Sequence, residues 1–214
     1  MSLVAQSVTG TKIPLGILPA GSANGMAKEL NIPADAGAAL EIIENGITGA
    51  CDAILINQKL VCLHLADIGI NAQFIKYFSE GKLRGWLGYA KVFLKTIWRS
   101  QKINITIDTE EKKISTKAYM VVLANASKYG TGAVINPEGR TDDGKFEVVL
   151  VYSLSFVEVL KTLFKPKSID PKKIESFHSR KISIRSRKKV HFQVDGEYIG
   201  KTDILNAAVL ADYI

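Results

Sequence analysis

Apolar residues follow two different rhythms along this chain. Near the start, Ile13-Pro14-Leu15-Gly16-Ile17-Leu18-Pro19 reads as a short apolar strand, Ala20-Gly21-Ser22-Ala23-Asn24-Gly25 as a glycine loop, and Met26-Ala27-Lys28-Glu29-Leu30 as the opening of a helix. A second helix is predicted from Ala34 to Glu44, where Ala38, Ile42 and Ile43 recur at helical spacing and Asn45-Gly46 supplies a stop. After that the period shortens to two. Strands are predicted at Cys51 to Asn57, Lys59 to Ile68, Ile103 to Asp108, Lys117 to Leu123, Phe146 to Tyr152, Lys181 to Arg185, Lys189 to Val194 and Ile204 to Ala211. Helical interruptions fall at Ile75 to Phe78, Trp86 to Trp98 and Ser155 to Phe164, the last opened by a Ser155 cap ahead of Glu158. No internal repeat or low-complexity linker divides the pattern.

One strand-loop-helix unit followed by a series of strands predicts an α+β chain, the end of an α/β domain leading into a β-rich one. A lone βα unit cannot make a parallel sheet, because parallel strands need neighbours supplied by further crossovers. The chain is therefore expected to be a truncated piece, or to be completed by a partner.

Composition narrows the class. With 214 residues, 47% hydrophobic and 23% charged, the chain is long enough for a large core and is neither disordered nor a disulfide framework. Its two cysteines, Cys51 and Cys62, sit among apolar neighbours and lack metal-ligand spacing, so they read as buried thiols of a reducing compartment. No apolar run is long enough to span a membrane and Met1-Ser2-Leu3-Val4 is not a signal start, which predicts a soluble, cytoplasmic protein. The net charge is +7, and its source is local: between Lys161 and Val190 lie 11 basic residues against Asp170 and Glu175. Such a stretch is either a solvated edge or a surface for phosphate, nucleic acid or anionic membrane.

Three constellations could carry chemistry. Gly21, Ser22 and Asn24 lie between a strand and a helix start, where glycine admits close approach of a phosphate and amide N–H groups point outward; the same letters suit a tight turn and a cap. Arg140-Thr141-Asp142-Asp143-Gly144-Lys145 leads straight into a strand, and its paired carboxylates and backbone carbonyls suit either a turn or a hard cation such as magnesium. In Val194-Asp195-Gly196-Glu197-Tyr198 two carboxylates emerge together at a strand end. There, one carboxylate could act as a general base while the other raises its pKa, and a hairpin turn accounts for the pattern equally well. The three histidines, His64, His178 and His191, form no triad or zinc set, and no aromatic ladder favours single-stranded nucleic acid.

Taken in order, these motifs resemble the diacylglycerol kinase and sphingosine kinase-like lipid kinases. Leu15 to Ala27 is similar to the family's second nucleotide loop, with Gly21-Ser22 where many bacterial members have Gly-Thr and Asn24-Gly25 in place of the commoner Asn-Asp. Ala66-Asp67-Ile68-Gly69-Ile70-Asn71-Ala72, Gly81-Lys82-Leu83-Arg84-Gly85 through Tyr89, and Ala124-Asn125-Ala126-Ser127-Lys128-Tyr129-Gly130-Thr131-Gly132 resemble its central segments, and Asp142-Asp143-Gly144 and Val194-Asp195-Gly196-Glu197 complete the series. The resemblance covers essentially the whole chain.

It implies ATP-dependent phosphorylation of a lipid hydroxyl in a cleft between two domains. These are a remnant of an α/β nucleotide-binding domain over residues 1–49 and a β-sandwich-like domain over residues 50–214. It implies Glu197 as general base, with Asp195 beside it assisting magnesium or the phosphates. Gly21, Ser22 and Asn24 would line the nucleotide site, Arg84 would contact phosphate, and Asp143 with the carbonyls of Arg140 and Lys145 would form a structural magnesium site. The departure is the family's first Gly-Gly-Asp-Gly-Thr loop, a motif this sequence does not contain, and little or no kinase activity is expected of this polypeptide alone.

The expected acceptor is diacylglycerol, a sphingoid base or another lipid alcohol at an anionic membrane surface; the alternatives are an NAD kinase-like acceptor or a non-catalytic basic module. Within the lipid kinase reading no nucleic-acid partner is expected. Exposed strand edges could pair two copies into a homodimer. Trp86 to Leu94 reads either as a lipid-pocket wall or as an ordinary buried face.

Overall fold

The computed structural model describes residues 2–11, 13–21, 24–80, 96–126, 140–153, 170 and 172–214. Three short helices come first: α1 (Ser2–Val8), α2 (Gly25–Glu29) and α3 (Ala36–Asn45). The Asp35 carboxylate caps α3, accepting the Ala38 N–H at 2.9 Å. Ten strands and one longer helix follow: β1 (Ala53–Ile56), β2 (Leu60–Cys62), β3 (Leu65–Gly69), α4 (Ile70–Glu80), β4 (Ile103–Thr109), β5 (Lys113–Ala118), β6 (Met120–Ala124), β7 (Phe146–Val151), β8 (Ile174–Ser179), β9 (Lys181–Val194) and β10 (Glu197–Leu210). The chain is α+β.

The strands form one sheet in the order β2-β1-β10-β9-β3-β6-β7-β8, with β4 and β5 branching from β9. The branch gives the sandwich its shape. Strand β9 keeps β10 on one side, while on the other its first half pairs with β4 (Ile107↔Ile184) and its last residues pair with β3 (Ile68↔Phe192). The long β9–β10 hairpin is thus shared by two wings, and register shifts near Tyr198/Gly200 and Thr202/Ile204 let it bend from one to the other. Between the wings lies the main core, where Ile105, Ile107, Ile182 and Ile184 meet Ile68, Leu123, Val148 and Leu150. Helix α4 packs on β3, β9 and β10.

Several expected elements differ. Residues Ile13 to Pro19 form no strand, pairing with no other strand among the described residues; Gly16 instead lies against the Ile43 side chain of α3. The Lys59 to Ile68 run divides into β2 and β3, and the predicted Lys181 to Arg185 and Lys189 to Val194 strands are one strand with a bulge. Strands β5 and β8 and most of α4 go beyond the predicted elements: β5 offers few apolar residues beside its lysines, serine and threonine, and Glu175 and His178, three apart, interrupt the period of β8. Of the predicted Trp86 to Trp98 helix, only a turn over residues 96–99 is described, and the predicted Ser155 to Phe164 helix lies outside the described residues. Both cysteines are free thiols; Cys62 is buried and Cys51 is half-buried.

Candidate functional site

The β9–β10 hairpin closes with two residues at positive φ, Asp195 at 48° and Gly196 at 84°, the tight turn that the twist of paired strands favours. Asp195 is locked from below. Its carboxylate accepts backbone N–H groups of Leu63 (3.0 Å), His64 (3.0 Å) and Leu65 (3.2 Å), and the Cys62 thiol at 3.3 Å. Burial, together with the Asp195 charge, pushes the Cys62 pKa well up, so this thiol keeps its proton and donates. Oδ1 therefore holds three partners and Oδ2 one, which leaves only Oδ2 with room for another ligand.

The turn is also held from the side. The Gly196 N–H donates to Gln193 Oε1 at 2.8 Å, and Gln193 Nε2 donates to Asp67 Oδ2. Asp67 is buried in the middle of β3 and also accepts from Asn71 Nδ2 and from the Ala72 N–H at 2.9 Å. Burial raises its pKa to about 6, against the opposing pull of those hydrogen bonds. Glu197, the first residue of β10, pairs with Val194 and stands exposed beyond this clamp.

Two of the sequence motifs meet at the short segment Cys62–Leu65, and the third is tied to it through intermediaries. The His64 ring lies so close to Gly25 that a Cβ there would come within 2.5 Å of its Cε1, so only glycine fits. Just before it, Asn24 adopts a left-handed conformation (φ 51°) and its Oδ1 accepts the Gly21 N–H at 2.8 Å, closing the loop on itself. Gly21 itself is exposed; Ser22 and Arg84 lie outside the described residues. Since α2 has only five residues and one loop amide is used internally, backbone approach at the loop, rather than a helix dipole, is what it offers a phosphate.

The third motif is tied in by two residues to which the sequence reading gave no role. Asn125, fully buried, donates its side-chain amide to the carbonyls of Asp52 (2.7 Å) and Leu63 (3.0 Å). The buried Asp52 carboxylate then accepts the Gly144 N–H at 2.7 Å and the Asp212 N–H at 2.9 Å, while its own N–H donates to the Thr141 carbonyl. Within that turn, Arg140 makes a bidentate pair with Asp142 (3.0 and 3.2 Å), which raises the pKa of the guanidinium and lowers that of the carboxyl. Asp143 remains as the carboxylate not engaged by Arg140; its Oδ1 accepts the Lys145 N–H at 3.0 Å. One carboxylate beside peptide carbonyls is an oxygen-only donor set that suits a hydrated magnesium ion. Among the described residues no group of three or more His, Cys, Asp or Glu could hold a metal.

Asp52, His64 and Asn125 thus link all three motifs, and Asp67 braces one of them. A signal for two of them was present: Asp52 and Asp67 are charges at or inside apolar strands, and a charge so placed must be paired or hydrogen-bonded. The half-exposed His178 pairs with buried Glu147 at 3.3 Å near the start of β7, where Glu147 lies opposite Ala124, the neighbour of Asn125.

Two family models match the chain. The diacylglycerol kinase catalytic domain covers residues 1–56, and the YegS C-terminal NAD kinase beta sandwich-like domain covers residues 66–210. Among curated proteins, "Uncharacterized protein sll0036" of Synechocystis sp. is 27% identical over 218 residues, covering 95% of this chain and 49% of that protein. "Putative lipid kinase SaurJH9_0749" of Staphylococcus aureus is 26% identical over 200 residues, covering 90% of this chain and 65% of its own length. The chain therefore spans between half and two-thirds of these relatives. A crystal structure titled as that of "a putative diacylglycerol kinase from Bacillus anthracis str. Sterne" superposes with a TM-score of 0.74 at 19% identity, over 96% of this chain and 68% of that one, a likeness of fold.

Proposed function

The chain belongs to the diacylglycerol kinase-like lipid kinase family, and from that premise we propose that it forms part of an ATP-dependent enzyme that phosphorylates a lipid hydroxyl at an anionic membrane surface. The observation that carries this reading is the junction at Cys62–Leu65, which the Gly21–Gly25 loop and the Asp195–Glu197 turn meet directly and to which Asp52 and Asn125 tie the Arg140–Lys145 turn. Phosphoryl transfer needs those parts: contacts for phosphates, a cation against charge, and a positioned base. We divide the chain into a nucleotide-side portion over residues 1–49 and a sandwich over residues 50–214.

In this mechanism Glu197 takes the proton from the acceptor hydroxyl. Its exposure suits the task, since the carboxylate reaches a substrate while the backbone beneath it is fixed by Asp195 and Gln193. Asp195 acts mainly by holding the turn, with Oδ2 free for one contact to a cation or phosphate. Gly21, Ser22 and Asn24, with Arg84, hold the phosphates of ATP, which supplies the transferred group. Asp143 with the carbonyls of Arg140 and Lys145 would hold magnesium, whose charge would fix the turn that Asp52 anchors.

The test is transfer from ATP to diacylglycerol, sphingoid bases or NAD by the protein in the full length its gene encodes, beside Glu197→Gln. Lipid phosphorylation that falls about 100-fold or more in kcat in the variant is expected for loss of a general base. Transfer to NAD alone would replace the lipid by a dinucleotide acceptor, and an unchanged kcat would remove Glu197 from the chemistry.

A further inference from the structure

Away from the motif junction, the outer face of the β5–β4–β9 wing carries a groove of about 480 Å³. Cross-strand register explains its chemistry. Asn104 pairs with Lys117, and Thr106 lies between Ser115 and Arg185, so the strands' outward positions bring cations and hydroxyls together. Lys117, Arg185 and Arg187 line the groove, and among the described residues no carboxylate does. Asp108, farther along the same face, is taken by Lys113 at 3.2 Å. Lys117, Arg185 and Arg187 have no ion pair among the described residues.

The groove runs into a second feature. Between the pairs Arg185↔Ile204 and Val190↔Thr202, strand β9 carries Ser186–Lys189 against Asp203 alone, so the strand bulges. Ser186 turns its hydroxyl back to the Lys188 carbonyl at 2.6 Å, while Arg187, Lys188 and Lys189 remain exposed. Asp203 forms no ion pair with them among the described residues. Apolar groups stand beside these charges: Ile204, opposite Arg185, is 47% exposed. Just before β4, at the end that Lys117 occupies, Trp98 is 95% exposed and is followed by Arg99. An excess of cations over acids, with Ile204 exposed opposite Arg185 and Trp98 exposed just before β4, matches a bilayer interface, where headgroups are anionic and the layer beneath is apolar.

We propose that this face docks the protein on a bilayer rich in anionic phospholipids, with the groove receiving a headgroup phosphate between Lys117, Arg185 and Arg187. The guanidinium forks and the Thr106 and Ser115 hydroxyls are donors of the kind a phosphate accepts. The inference rests on the lipid kinase reading for the presence of a bilayer substrate, and on the geometry alone for the face that meets it.

Cosedimentation of the chain with vesicles of phosphatidylcholine, or of phosphatidylcholine and phosphatidylglycerol in equal parts, tests it. Each basic residue near an anionic surface strengthens partitioning by about fivefold, so Arg185→Glu/Arg187→Glu should weaken binding to the anionic vesicles at least about 25-fold. Lys59→Glu/Lys172→Glu, equal in charge change but placed in turns beside β2 and β8 at the two ends of the sheet, should retain binding. Lys188→Ser/Lys189→Ser, confined to the bulge, gives a second loss should the first variant not fold. Equal binding to both vesicle types, equal binding by the reversal variant, or equal loss in the control would overturn the docking face. Release from vesicles by millimolar inorganic phosphate would assign the groove to free phosphate, and release by a poly(U) strand to nucleic acid; either also overturns it. Phosphorylation of diacylglycerol in detergent micelles by the full-length protein needs no bilayer and should survive the reversal. If wild type fails that assay while vesicle binding holds, the kinase reading falls and the docking face stands.

Discussion

The first fifty residues and the sandwich that follows use apolar side chains equally freely, yet only one of the two regions buries them. In the sandwich, Ile54, Ile107, Phe146, Leu150 and Ile184 are excluded from water. Before it, Leu3, Val4, Ile13, Leu18, Leu30, Leu40, Ile42, Ile43 and Ile47 make up nine of the thirteen exposed large apolar residues among those described, and the buried ones there are Ala5, Met26, Ala27 and Ala39. Topology explains the contrast. Antiparallel strands joined by short turns find their neighbours within the same stretch of chain, whereas a βα unit buries its faces only against further crossover units. Periodicity states which face seeks cover; it does not state what covers it. The early segment attaches through Ala5 and Leu15, which pack in one cluster with Val61 and Leu63, and through Gly25, which lies against the His64 ring.

Two isoleucines make this contrast measurable. Ile184 sits at 1% exposure in the shared strand β9, between Ile107 of β4 and Leu205 of β10. Ile184→Ala should cost about 2–5 kcal/mol in urea unfolding, because removed methyl groups leave a cavity that two sheet wings cannot close. A loss below about 1 kcal/mol would mean that the wings relax into the space, and that the core between them is far looser than its burial indicates.

The next effect lies at the site and depends on pH. Asp67 has a carboxyl pKa of 3.8 when unperturbed and about 6 when folded. Between those values the folded chain holds a proton that the unfolded chain has released, so the Asp67 contribution to stability falls as pH rises from about 4 to about 6. At roughly 1.36 kcal/mol per pKa unit the full change is about 3 kcal/mol. Asp67→Asn removes this titration, and the difference between wild-type and variant unfolding free energies should follow that slope. The amide also sets an NH2 group against Gln193 Nε2, or flips Gln193 so that Gly196 loses its acceptor. A flat difference across the window would show that Asp67 is solvated and that the hairpin turn is not held through it.

Much of the sandwich was legible because alternation and burial coincide. Phe146 to Tyr152 and Ile103 to Asp108 were read almost to the residue as β7 and β4. Strand β8 was not, since Glu175 and His178 interrupt its apolar period and its pairing with β7 comes from tertiary context. At the site, the glycine-bearing turns declared themselves as letters, but the links between them did not. Asp52 and Asp195 each hold amides contributed by distant segments (Gly144 and Asp212 for one, Leu63 to Leu65 for the other), and Asn125 joins two carbonyls, one from Asp52 just before β1 and one from the β2–β3 turn. Such cross-chain satisfaction of backbone groups has no sequence period to read. A charge inside an apolar strand was the one clue, and it marks need for a partner without naming it.

The smallest effect bears most directly on the contrast. Ile47 is fully exposed, outside any helix or strand, so Ile47→Asp should change the unfolding free energy by no more than about 0.5 kcal/mol. It should also leave the sedimentation coefficient unchanged. A cost of several times that size, or dissociation of a larger species into a smaller one, would mean that the apolar face of the first fifty residues is covered in solution. The two regions would then differ only in where their cover comes from: from the same chain in the sandwich, and from another surface in the helices before it.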